Sequence, residues 1–546
     1  MRKKLVLPFL LLLLFTASSH IGSPGVIYEG LLGPYRILAN IIPAEVVPGI
    51  ARVTIIMPEN PEDISLEVRP VYWSAGLKGT PKADPMIAVP GEPGKYEGEL
   101  WFMNSGTSSV QVIMQANGET FEAVVPVMAW PTAKNSMTTE LGVPLAILGI
   151  FLVILMVTII SSAMSDSIRD PGKDRNPTAD KRRKYGVAIG SVIMLLILWG
   201  GKTWWDSESE IYNDFLFKPI QANSTVEAQP EGNYLQLEID TNTLSQGKTT
   251  RKLSFIVPDH GKLMHLFLIR KGDLDVFAHL HPERIDSLNF KVKLPIIPPG
   301  DYHVYADITR YTGFSETIVS DFSISEKSDF QLVSNPKVIL GPDDTYTFSN
   351  PVSGKITSLD GDIMICGKPG IKTDLAGGYS AVWETDGEKF ETGALYNLDF
   401  ALFDPEGKPA KLEPYLGMMG HAVVLKHDGT VYIHLHPTGN YSMGSQQMLL
   451  ERFESGKIGF QNLPTGLSFQ DSIDQVIEVF NLLPEAERDS LLMGNMVHLD
   501  KNDPEHEGHS MVIFPYSFPQ PGNYRIWVQV KIDGKIVNGA FDVEVD

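Results

Sequence analysis

Two long apolar runs divide a chain that otherwise alternates over short distances. Leu141 to Met164 gives 24 residues without a charge, enough for a helix to cross a hydrocarbon core of roughly 30 Å. Tyr185 to Gly201 gives 17 more, continued past Lys202 by Trp204 and Trp205, aromatics suited to the headgroup level. The pattern predicts transmembrane helices over 141–164 and 185–205. Before them, Tyr35 to Val127 runs in short stretches rich in Val, Ile, Leu and aromatics with Pro/Gly punctuation, such as Ala51 to Met57, Lys95 to Met103 and Ser108 to Gln115; regular short strands predict a β-sandwich. A Pro-Gly-x-Tyr tetrad opens one strand at Pro93, Gly94 and Tyr96, and recurs at Pro299, Gly300, Tyr302 and at Pro521, Gly522, Tyr524. Three copies of a turn that delivers a packed Tyr predict three sandwiches. The expected fold class is mainly β, with three Ig-like β-sandwich domains and a two-helix transmembrane hairpin between the first and second. The boundaries are 26–130 for the first sandwich, 206–232 for a linker, 233–325 for the second and 330–546 for the third, with a partly helical insertion at 438–510.

The second and third sandwiches carry one histidine pattern twice. Met264-His265-Leu266-Phe267 precedes His279-Leu280-His281-Pro282, and Gly420-His421-Ala422-Val423 precedes His434-Leu435-His436-Pro437. From the last His to the tetrad glycine the third sandwich is 67 residues longer. In the third, Asp428-Gly429 signals a two-residue type I′ hairpin turn. That register sets His421 opposite His436 and Val423 opposite His434. Side chains alternate along a strand, so the three imidazoles share one face and Val431, Ile433 and Leu435 form the core face. In the second, a three-residue loop at Gly272-Asp273-Leu274 again sets His265 opposite His281. Three neutral imidazoles on one face suit Cu or Zn, and Met419 joins the His face with a thioether if the strand extends that far. The candidate metal ligands are His421, His434, His436 and Met419, with His265, His279 and His281 by the repeat. Against this, a His on a sandwich strand is more often a surface or hydrogen-bonded residue, and common ancestry preserves packing histidines too. His498, His506 and His509, with nearby carboxylates, form a further cluster that also reads as a solvated loop.

Charge and cysteine count narrow the class. Lys+Arg number 45 against 66 Asp+Glu, a net charge of −21, and no basic footprint exists for nucleic acid. The one cysteine, Cys366, excludes an intrachain disulfide and a thiolate zinc cluster. Arg2, Lys3 and Lys4, an apolar run from Leu5 to Phe15 and the small residues that follow have the layout of a secretory signal over 1–19. Seven basic residues lie in the connection 165–184, which places that connection in the cytoplasm and both large flanks outside it. Gly186 and Gly190 form a G-x-x-x-G pair that lets two helices approach. No nucleophile elbow or phosphate loop occurs, so an enzyme is not expected.

The first segment resembles the YtkA-like and FixH-like exported sandwich domains in its strand pattern and its Pro93-Gly94-Lys95-Tyr96 turn. Tyr415 to His421, followed by His434-Leu435-His436-Pro437 and Pro521-Gly522-Asn523-Tyr524, is similar to His-rich exported domains found beside copper-handling proteins. That resemblance implies envelope metal handling, copper ahead of zinc, with envelope metal-handling or oxidase-assembly proteins as partners. The expectation is a protein of the cell (inner) membrane, both large segments on the periplasmic or extracellular side, that binds copper for delivery or sequestration. The rival is a non-metal protein-interaction scaffold.

Overall fold

The computed structural model describes residues 20–21, 25–59, 64–165, 171–172, 177–246, 249–325, 340–354, 363–385, 387, 389–455, 465–494 and 510–546. The leader 1–19, residues 166–170 and 173–176 of the basic connection and the cluster of His498, His506 and His509 lie outside them.

The first sandwich stacks two antiparallel sheets. One has the order β1 (Val26–Leu32), β2 (Tyr35–Ile42), β3 (Gly49–Ile56) and then β5 (Lys95–Phe102), whereas the other pairs β4 (Ser65–Tyr72) with β6 (Gly106–Ala116) and β6 with β7 (Glu119–Ala129). Alternate residues such as Ala51, Val53 and Ile55 of β3 point inward and are fully buried, the period-two pattern that the sequence displays.

The helical unit holds α1 (Thr139–Ala163) and α2 (Pro177–Phe215), two helices long and apolar enough to cross a membrane. They touch at the predicted glycine pair: a Cβ on Gly186 would stand 2.7 Å from the Ser161 Cα, so only glycine allows this approach. The span at 185–205 is only part of α2. Residues 206–215, expected as linker, continue the helix because no Pro or Gly interrupts them, and Ala222–Gln229 (β8) forms a hairpin with β9 (Gly232–Ile239).

The second and third sandwiches repeat one sheet. In the second it runs β14 (Ser315–Ile324), β13 (Gly300–Arg310), β10 (His265–Arg270), β11 (Val276–Leu280), opposed by β8, β9 and β12 (Asn289–Lys293). In the third it runs β22 (Lys535–Val545), β21 (Gly522–Ile532), β18 (His421–Lys426), β19 (Val431–Leu435), opposed by β16 (Ser380–Glu384), β17 (Leu395–Phe403) and β20 (Met511–Ser517). One expected boundary moves: β15 (Thr345–Ser349), assigned to the third sandwich, pairs with β11 of the second and covers what would otherwise be an open strand edge.

In the second and third sandwiches the repeated tetrad is a tyrosine corner. Gly300 and Gly522 open their strands at φ 151° and 135°, a region that favours glycine. Two residues on, the Tyr302 hydroxyl donates to the Pro298 carbonyl at 2.6 Å and the Tyr524 hydroxyl to the Gln520 carbonyl at 2.6 Å, each tying a strand to the chain before it.

The insertion contains α3 (Met443–Ser455), α4 (Gly466–Leu482) and α5 (Glu485–Gly494). They give the insertion the partly helical character expected of 438–510. Leu449 of α3 packs with Trp73 and Val124 of the first sandwich, and Arg452 donates to the Trp73 carbonyl at 3.1 Å. The Tyr441 ring, just before α3, meets Tyr28 at 5.2 Å.

Candidate metal centre

Both histidine hairpins have the register that their loops predict. Val423 pairs with His434 and Ala422 with Leu435, and Leu266 pairs with Leu280, so His421 and His436, like His265 and His281, continue each ladder on one face. The turn at Asp428-Gly429 differs from expectation. Gly429 has φ 73° but Asp428 is not left-handed, so the turn is not type I′. Gly429 N–H instead bonds the Lys426 carbonyl at 2.8 Å, and the Asp428 carboxylate accepts from Thr430 N–H at 3.0 Å, an Asx turn that widens the loop by a residue on each side. The symmetric widening leaves the register intact.

The face opposite each apolar face is not a free surface. The two repeated sheets pack their histidine faces against one another, with Phe277 stacked on Trp527 at 5.0 Å and Tyr305 on Tyr432 at 4.1 Å. Aromatic pairs of this kind add about 0.5–1.5 kcal/mol beyond their buried area. His279 and His421 are 0% exposed and even His434 only 9%. Two sites expected to be separate are therefore one enclosure. His265 lies 5.5 Å from His434 by ring centroid and His279 lies 6.1 Å from His421.

Each triad converges. One nitrogen from each of His265, His279 and His281 lies within 4.8 Å of the others, and the same holds for His421, His434 and His436. The opposite nitrogens are tethered. His265 Nε2 meets the Asp259 carbonyl and His421 Nε2 meets the Tyr415 carbonyl, both at 3.1 Å. A carbonyl only accepts, so both imidazoles carry their proton on Nε2 and leave Nδ1 bare. His279 Nδ1 donates to Gln529 Oε1 at 2.9 Å, since the Gln529 amide nitrogen is spent on Asn538 at 3.0 Å. His434 Nδ1 faces Asp307 at 3.6 Å, and His281 Nδ1 bonds Asp344 at 2.8 Å. Each repeat thus places behind the second histidine of the other the residue that pairs with its own first histidine: Gln529 opposite His421, hydrogen-bonded to His279, and Asp307 opposite His265, near His434. Carboxylate or amide oxygens behind a ring are how metal-binding imidazoles are oriented.

The bare atoms are left facing each other. His265 Nδ1 stands 3.1 Å from His279 Nε2 and His421 Nδ1 stands 3.2 Å from His434 Nε2. In the second sandwich both rings carry their proton on the far nitrogen, so two lone pairs oppose each other, an arrangement that a shared cation relieves; in the third, the bare His421 Nδ1 faces His434 Nε2, whose ring has no hydrogen bond behind it. Metal–nitrogen bonds of about 2.0–2.1 Å in a tetrahedron give edges of about 3.3 Å, close to these gaps. A proton is a poor substitute, because burial pushes His265 down to about 4 and lowers His279, His281, His421, His434 and His436 well below the ordinary histidine value. Neutral imidazole is the ligating form. Burial also raises Asp307 and Asp344 to about 6.

Met419 does not join the site on the expected terms. The strand starts at His421, and the Met419 side chain packs, partly buried, against the hydrophobic cluster. The seventh histidine of the enclosure, His260, was not foreseen. It stands 4.8 Å from His436 and 5.6 Å from His421 by ring centroid. A signal existed: Asp259-His260-Gly261-Lys262 ends three residues before His265, as Tyr415-Leu416-Gly417-Met418 ends three before His421.

Fold and site together define a mainly β protein with two membrane-length helices and a buried, two-fold-repeated histidine enclosure that could hold a metal. A family model described as a domain of unknown function (DUF8832) matches residues 374–459 and 492–546, the third sandwich without the stretch that holds α4. No curated protein matches the chain. Among solved structures, the PmoD soluble domain from Methylocystis sp. ATCC 49242 (Rockwell) is 19% identical over 18% of this chain and 97% of that one, with a TM-score of 0.15. A tetra-tandem repeat from the extending region of a large adhesion protein is 7% identical over 92% of this chain and 71% of that one, at 0.14. The ICAM-5 D1–D4 ectodomain fragment is 7% identical over 93% and 77%, also at 0.14. Scores of this size say nothing about the chemistry of this chain.

Proposed function

We propose that this is a membrane-anchored envelope protein that binds a transition metal between its second and third sandwiches, for sequestration or delivery. The observation that carries the proposal is the convergence of two buried imidazole triads, each with ligand nitrogens within 4.8 Å of one another, in which His265 Nδ1 stands 3.1 Å from His279 Nε2 and His421 Nδ1 stands 3.2 Å from His434 Nε2. An all-imidazole donor set suits late first-row ions, and copper stands first by the general affinity order, above zinc. The role is binding rather than turnover. The contact of α3 with the first sandwich supports a common side for both large segments, as a signal sequence and a two-span hairpin would give.

The test uses the full chain in detergent, stripped by chelator, loaded separately with copper or zinc, desalted and assayed for metal. Wild type retains stoichiometric copper, and the double variant His279→Leu/His434→Leu, which removes one ligand per triad while filling the buried space, loses it. Retention equal to wild type in the folded variant, or no retention by wild type, overturns the proposal.

A further inference from the structure

We infer, resting on the metal-binding proposal above, that the enclosure holds two unlike ions: an open three-imidazole centre on His265, His279 and His281, and a closed four-imidazole centre on His421, His434 and His436 completed by His260 from the other sandwich. The two triads occupy matching positions in the repeats, and so do the turns that precede them. Asp259 bridges Lys262 as Tyr415 bridges Met418. The two inner positions of each turn are left-handed, at φ 49° and 77° for His260 and Gly261 and at 53° and 77° for Leu416 and Gly417. One turn offers an imidazole where its counterpart offers Leu416. That imidazole crosses the interface: His260 lies 4.8 Å from His436, within the 4.4–5.4 Å span of centroid distances inside the second triad, and 6.0 Å from His265 of its own repeat. Its Nε2 is buried without a hydrogen-bond partner, as is His281 Nε2. The nearest carboxylate oxygen, on Asp259, stands 3.6 Å from His260 Nε2. A buried bare nitrogen is expensive unless something takes it up. Four protein ligands close a tetrahedral site, whereas three leave a position for an incoming ligand, so the second ion is held and the first exchanges.

The test loads the full chain with copper and compares wild type with His260→Asn and His260→Leu. Asparagine tolerates a left-handed backbone, and leucine occupies the equivalent turn, so the variants guard against a folding failure. Wild type is expected to bind two ions that a competing chelator removes in two phases. X-ray absorption should show a mean of about 3.5 imidazoles per ion for one three-ligand and one four-ligand site. Either folded variant should drop to three imidazoles and lose the slow phase, with at least a tenfold loss of affinity at one site. Two bound ions with the imidazole count and both phases unchanged in the variants overturn the role of His260 and leave the metal-binding proposal standing; a single ion in wild type overturns the two-centre arrangement. No ion in wild type fails both.

Discussion

Acid should open the metal-free enclosure, and the direction follows from burial alone. His265 sits at about 4 when folded against about 6.5 in an unfolded chain. Above pH 6.5 both states are neutral and nothing is lost. Between pH 6.5 and 4 the unfolded chain takes up a proton that the folded state refuses, so stability falls as pH falls. At 1.36 kcal/mol per unit, the 2.5-unit gap is worth about 3 kcal/mol for this residue. His260, His279, His281, His421, His434 and His436 shift in the same direction for the same reason. Asp307 and Asp344, raised to about 6, work the other way: each is penalised above pH 6 and relieved as pH drops toward 3.8, which offsets two of the histidines. The net change still favours opening, because seven groups oppose two. Thermal unfolding of the chelator-treated full chain at pH 8, 7, 6 and 5 should show a flat midpoint to about pH 6.5 and a steep decline below it. Bound metal should flatten the decline, since a ligated nitrogen resists protonation. An unchanged midpoint between pH 7 and 5 in the metal-free protein would refute the burial of these rings.

Two other outcomes follow from particular residues. Arg525 is fully buried, paired with Asp542 at 2.7 and 2.8 Å, and its guanidinium also donates across the interface to the carbonyls of Leu274 and Asn350 at 2.9 Å; Arg525→Met should cost about 3–5 kcal/mol in chemical denaturation and raise amide exchange in β11 and β18. Protease added to intact spheroplasts should digest the sandwiches and spare the basic connection 165–184, and a protected C-terminal half would contradict the proposed orientation.

Strand alternation, the three Pro-Gly-x-Tyr corners and the two charge-free runs were legible in the sequence because each is a local signal: period two for strands, a backbone region reserved for glycine, and uninterrupted apolar length. The register that aligns His421 with His436 was legible too, since loop length fixes it even though the turn at Asp428 is of another type. What the sequence left open was the use of the second face. A hairpin with histidines opposite an apolar face looks solvent-exposed when taken singly, and only the packing of one repeat upon the other shows both faces buried, with Phe277 on Trp527 and Tyr305 on Tyr432. The tethers behind the rings come from far along the chain, as in Gln529 on His279 and Asp344 on His281. Local pattern determined which residues share a strand face, whereas burial, tautomer and the convergence of His260 on His436 arise from contacts between segments that no short-range periodicity encodes.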